Sequence, residues 1–185
     1  MSRALRLFAI AMIGCLLQTN VLQHIRIADA APDFMIAITV ALTSFCGLSG
    51  IFCTAALMVL FYDASVGYVM ALNPVFYILI ALGAFALRAI FNEFLSKWKH
   101  KSFLIVMVIS FSLTVFREIA YIGYLFLIGA KFNLVVFFRL FLSAGYTALI
   151  TIPCLLFIRA LLNWHPFKKK KVVDDFYDEF PYVRP

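Results

Sequence analysis

The sequence predicts an all-α membrane protein with six transmembrane helices, and three observations carry that expectation. First, the chain is 65% hydrophobic and 14% charged, with 21 Phe among 185 residues and a mean hydropathy of +1.01. An ordinary globular domain is about 45–50% apolar and about 25% charged, so a soluble core could not absorb this much apolar surface. Second, the apolar residues gather into long runs separated by short polar stretches. Third, the cations stand at the ends of those runs and in one tail, where they orient a membrane protein. The net charge of +7 is therefore no sign of a nucleic-acid partner.

The chain opens with Arg3 and Arg6 and an apolar run to about Leu22. The run continues past Cys15, which reads as an uncleaved first helix and not as a signal peptide. A polar connection over 23–33 leads to Pro32, well suited to the first turn of a helix. The stretch 32–63, PDFMIAITVALTSFCGLSGIFCTAALMVLFYD, carries charge only at its two ends. As one straight helix it would span roughly 45 Å, against about 30 Å for a bilayer core. Gly47 and Gly50 lie in its middle, where a helix is most easily broken. Asp63, Gly67, Asn73 and Pro74 mark a turn before a fourth helix over 69–90. A basic loop over 92–102 carries Trp98 as an interfacial anchor. Two further spans cover 103–128 and 134–162, after which Trp164 and Pro166 end the last helix.

Charge distribution decides how the 32–63 stretch crosses. As a hairpin of two short helices, with the N-terminus inside, it places twelve cations on the cytoplasmic side and two, Arg26 and Lys131, outside. A single crossing destroys that bias. The expectation is thus a hairpin turning at 46–50, with arms of roughly 14–16 residues, and both chain termini in the cytoplasm. Residues 1–166 form one six-helix domain, and 167–185 form a cytoplasmic tail that is first basic, then acidic and aromatic. Lys168, Lys169, Lys170 and Lys171 should rest on anionic headgroups of the membrane lipid. The segment DDFYDEFPY beyond them is either a solvated tail or a short motif that orders on a partner.

Small residues recur along the hairpin at Ala37, Ala41, Ser44, Gly47, Gly50 and Thr54. They serve either packing within the subunit or docking of another membrane protein. Arg117, Glu118 and Arg139 fall deep in apolar helices, where ionisable groups are costly. Glu118 lies roughly 22 Å from the inner end of its helix, and Arg139 roughly 8 Å from the outer end of the next. Equal depth pairs Glu118 with Arg139 and leaves Arg117 to snorkel outward. That pair either locks two helices or contacts a partner or ligand. Asp33 follows Pro32 at a helix start, where a carboxylate is favoured, although a plain interfacial acid explains it as well. Asp63 stands at a helix end that disfavours it and needs a partner.

Catalytic chemistry is missing from the sequence. His24, His100 and His165 are far apart, the four cysteines lie in apolar stretches without zinc spacing, and no phosphate-binding loop or nucleophile elbow occurs. The expectation is a protein that is not an enzyme and holds no metal or cofactor.

The residues LQTNVL at 17–22, Pro32 with Asp33, GLSG at 47–50 and YDASVG at 62–67 give the chain a resemblance to a known family. It resembles the bacterial rod shape-determining protein MreD in those motifs, in length and in span count. The resemblance implies a non-enzymatic scaffold or regulator of cell elongation, located in the bacterial cytoplasmic (inner) membrane. Such a protein binds MreC and supports peptidoglycan synthesis and cell shape. RodA, a class B penicillin-binding protein and MreB filaments are further implied partners. On this resemblance Pro32, Asp33, Gly47, Gly50, Asp63 and Gly67 are partner-binding or structural positions. The family is also likened in fold to the substrate-binding subunits of energy-coupling-factor transporters, which implies an alternative function as a vitamin-like small-molecule binding subunit. A pocket open near Asp63, Asn73 and Glu118 would distinguish that alternative from a scaffold with an outward small-residue face.

Overall fold

The computed structural model describes residues 3–21, 24–25, 30–66, 72–94, 101–127, 129 and 134–162. These form α1 (Arg3–Leu16), α2 (Phe34–Leu42), α3 (Leu48–Val66), α4 (Leu72–Phe94), α5 (Lys101–Leu127) and α6 (Leu134–Leu162). Among the described residues α3, α4, α5 and α6 are long and apolar enough to cross a membrane. The apolar helix Ala4–Asn20 is shorter. Exposed large hydrophobics such as Leu60, Ile90, Phe116, Phe126, Phe138 and Leu149 cover the outside of the bundle. In water such a surface would aggregate; in lipid it is the solvated one.

The bundle is built around its shortest member. α2 has 9 residues, about 13.5 Å of helix, less than half a bilayer core. Every residue from 35 to 42 is buried. α2 packs most extensively on α6 and also touches α1, α3, α4 and α5, so it is the axis on which the other helices lean. Its near-continuous apolar sequence FMIAITVAL follows from that position, since a helix enclosed on all sides has no polar face to keep.

The hairpin is therefore lopsided, which corrects the expectation of equal arms: α2 has 9 residues and α3 has 19. The chain also turns earlier, over 43–47. There the backbone tightens into Thr43 N–Val40 O, Ser44 N–Ala41 O and Phe45 N–Leu42 O bonds of 3.2, 3.1 and 3.0 Å. Thr43 Oγ1 donates to Val40 O as well, at 2.6 Å. Arg88 of α4 reaches across to donate to Thr43 Oγ1 at 3.3 Å and to Ser44 Oγ. A cation at a helix C-terminus is favoured by the exposed carbonyls, so α4 fixes where α2 ends. The glycines do not make the turn. Gly47 has no positive φ, and Gly50 lies inside α3.

Arg6 of α1 donates to Leu162 O at the last residue of α6. The first turns of α1 and the end of α6 thus share one end of the bundle. Close packing of α1 on the core depends on Gly14, where a Cβ would stand 2.6 Å from Ile38 Cδ1 and 3.1 Å from Met58 Sδ. Within α6, Pro153 interrupts the backbone ladder without ending the helix. Gly67, the four tail lysines and the whole of 167–185 lie outside the described residues.

Candidate functional site

The polar groups of the bundle converge on the N-terminus of α2. A helix start exposes backbone N–H groups that need acceptors, and burial leaves no water to supply them. Asp33 caps the helix from an extended conformation (φ −105°, ψ 100°), its Oδ1 accepting from Ile36 N at 3.0 Å. The N–H of Phe34 donates to Gln18 Oε1 at 2.9 Å. That of Asp33 itself donates to Thr147 Oγ1 at 2.9 Å. Ala37 N closes the first turn on Asp33 O at 3.1 Å.

The two acceptors from outside α2, Gln18 and Thr147, come from different helices, and each is placed by a local device. Gln18 lies in a π-helical turn, Leu17–Val21, that continues α1 with a wider ring. Such turns re-aim side chains, and this one presents the amide to α2. Thr147 belongs to a ladder on α6 in which Ser143, Thr147 and Thr151 follow one another every four residues. Thr147 Oγ1 donates to Ser143 O at 2.8 Å, and Thr151 Oγ1 to Thr147 O at 2.7 Å. The hydroxyls of Thr151 and Ser110 of α5 lie 2.7 Å apart, and Ser143 Oγ donates to Ala31 O at 2.9 Å. This ladder ties α6 to α5 below and to the approach of α2 above.

The second carboxylate oxygen of Asp33 meets α4 and α5. Tyr77 OH donates to Oδ2 at 2.7 Å, and the Arg117 guanidinium forms an ion pair with the same oxygen. Arg117 also stacks over the Tyr77 ring, 5.7 Å from its centre. Asp33 is 2% exposed and the Arg117 side chain 31%. The pair is thus buried on the acid side and open on the base side. Three helices, α2, α4 and α5, are joined through one carboxylate, and the neighbouring backbone N–H groups add α6 and the π-helical turn after α1. No buried side-chain nitrogen or oxygen among the described residues lacks a hydrogen-bond partner.

Arg117 does not snorkel to the surface, and Glu118 does not pair with Arg139. Glu118 stands 3.9 Å from Arg117, while the ion pairs among the described residues leave Arg139 out and it is exposed on α6. Depth along a helix does not give direction around it. Successive residues differ by about 100° in azimuth, so Arg117 reaches Asp33 and Glu118 does not reach Arg139. Taken singly, Tyr77 and Thr147 carry no local signal in the sequence, and Gln18 stood out only within LQTNVL at 17–22. Thr147 shows only through its spacing with Ser143 and Thr151 in an otherwise apolar helix.

The other candidate positions have plainer places. Pro32 is buried beside the cap, Asp63 is half-buried near the end of α3, and Gly47 is exposed at the turn. Ala37, Ala41 and Thr54 are buried inside the subunit, so most of the small-residue stripe serves its own packing. No group of three or more metal-ligating side chains occurs among the described residues. Two apolar clefts open on the bundle. One of about 630 Å³ lies between α5 and α6, and one of about 230 Å³ between α1, α2 and α6. Neither contains Asp63 or Glu118. No family model, curated protein or solved structure matches the chain.

Proposed function

We propose that this chain is a non-enzymatic scaffold of the bacterial cell-elongation complex, a multi-pass protein of the cytoplasmic membrane that binds MreC and supports peptidoglycan synthesis. Its six helices enter and leave on the cytoplasmic side. RodA, a class B penicillin-binding protein and MreB are the wider assembly it serves.

The observation that carries this reading is how the polar groups at the start of α2 are used. Asp33, Tyr77, Arg117, Gln18 and Thr147 are consumed in fixing one short buried helix. A rigid bundle with an apolar outer face suits a protein whose task is to hold a partner in the membrane. Pro32 and Asp33, two of the residues behind the resemblance to MreD, stand at that hub. The Arg6–Leu162 contact, with Arg159 in the last turn of α6, supports a shared cytoplasmic end. Docking then falls to faces other than the small-residue stripe.

Affinity purification of the tagged chain from a rod-shaped host tests the reading. MreC should co-purify, and depletion of the chain should round the cells. A chain that purifies with a tightly bound vitamin, from cells that stay rod-shaped without it, belongs to the transporter class instead.

A further inference from the structure

The helices of the bundle are flush at one end and uneven at the other. At the flush end Arg6 of α1 meets Leu162 of α6, and a Cβ on Gly50 of α3 would lie 3.7 Å from Leu7 Cδ1. α1 with its π-helical turn ends at Val21, and α3 has 19 residues, each about 28 Å of helix. α5 has 27 residues and α6 has 29, about 40 and 43 Å. The difference falls at the end where α2 begins.

Contacts between helices give the heights. Gly14 of α1 packs on Ile38 of α2 and Met58 of α3, so Thr19, Asp33 and Asp63, each five residues nearer the uneven end, stand level. Val21 and Val66, where α1 and α3 end, lie only two and three residues higher. Thr147 of α6 accepts from the N–H of Asp33, and Thr114 of α5 is at the same height because Ser110 meets Thr151 across antiparallel helices. Beyond that height α5 and α6 each run 13 more residues, to Leu127 and Leu134, about 20 Å. The pair therefore stands about 15 Å above α1 and α3. α4 falls between, since Gly83 lies against Leu113 and sets Leu72, its first residue, level with Tyr124.

The projecting part is apolar on every side. Among the described residues none of α5 beyond Thr114 is buried and none of α6 before Leu140, and Arg139 is the one charge over 119–127 and 134–139. The low ends carry exposed polar residues instead, Asn20 and Ser65. A flat membrane cannot serve both. Set level with α1 and α3, it leaves the exposed Phe126, Leu127, Val135 and Phe138 in water, at a cost that grows with their area. Set level with α5 and α6, it sinks Asn20 into hydrocarbon. A bilayer that changes thickness yields at a modest cost per ångström of mismatch.

We infer that this protein binds lipid as a step: the leaflet at the end where α2 begins climbs the α5–α6 pair and thins against α1 and α3. The partner is the leaflet itself, and the low side fits shorter acyl chains than the high side. The step does not depend on which end of the bundle faces the cytoplasm.

Cysteine labelling in proteoliposomes tests it. A cysteine-free full-length chain is reconstituted at low density, so that lipid alone surrounds it, and a charged maleimide is supplied on both sides of the membrane. Asn20→Cys and Phe138→Cys replace exposed side chains that differ in height by about 12 Å on the same register. Relative to the denatured chain, Asn20→Cys should label at least about tenfold faster than Phe138→Cys, since a charged reagent stays out of hydrocarbon. In bilayers of longer acyl chains Asn20→Cys should slow, and Phe138→Cys should stay protected. Equal labelling would put the tip of the pair in water, and protection of both would put the low ends under a flat membrane; either overturns the step. Labelling of Asn20→Cys that ignores acyl length overturns it too.

Discussion

Replacing Asp33 by Asn and Arg117 by Gln should have unequal costs, although the two side chains form one ion pair. Asp33→Asn keeps the shape of the cap, because Asn is as good as Asp in accepting from Ile36 N. It removes the charge and puts an amide nitrogen where Oδ2 accepted from Tyr77 and Arg117, although the Tyr77 hydroxyl can turn to accept from it. The guanidinium left behind is 31% exposed and still has Glu118 at 3.9 Å, so the loss should be about 2 kcal/mol, below the range for a fully buried pair. Arg117→Gln instead strands a carboxylate that is 2% exposed, with Tyr77 and the helix N-terminus as its remaining support. That loss should reach about 3–4 kcal/mol, as for a buried charge deprived of its partner. Combining the two removes both charges, so the double variant should be less destabilised than the sum by about 1.5–2 kcal/mol. Unfolding by sodium dodecyl sulfate titration in mixed micelles gives the four free energies. Simple additivity, or a greater loss for Asp33→Asn than for Arg117→Gln, would refute the lock.

Other substitutions separate this arrangement from its neighbours. Glu118→Gln and Arg139→Gln should act independently, adding to within about 0.5 kcal/mol in the same titration; coupling between them would restore the pair that equal depth implies. Gly14→Ala should cost about 1 kcal/mol, because its Cβ presses on the ends of Ile38 and Met58. Gly47→Ala should be neutral or stabilising by up to about 1 kcal/mol, as its backbone needs no positive φ and its Cβ meets nothing. A Gly47→Ala loss larger than that for Gly14→Ala would show that the turn depends on glycine after all.

Much of the architecture could be read from composition because lipid as a solvent imposes simple rules. Long apolar runs marked α4, α5 and α6 to within a few residues, and the over-long 32–63 stretch had to break. The position of the break was hidden. Glycines attract attention, whereas the chain turns where Thr43 competes for a backbone carbonyl and Arg88 arrives from 45 residues away. Asp33 was legible as an acid at a helix start, since Pro-Asp before an apolar run is a local signal, but not as a buried cap. Its partners were not, because Tyr77 and Arg117 reach it from helices whose rotation only packing decides. The same limit undid the pairing of Glu118 with Arg139. Helical spacing orders residues along one helix, but it does not say which face meets the next.

The central claim is that the approach to α2 is held inside the bundle against α6. Disulfide trapping tests it directly. In a cysteine-free chain in native membranes, Ala31→Cys with Ser143→Cys should crosslink under mild oxidation, since Ser143 Oγ lies 2.9 Å from Ala31 O. A folded chain in which that pair stays reduced would contradict the account.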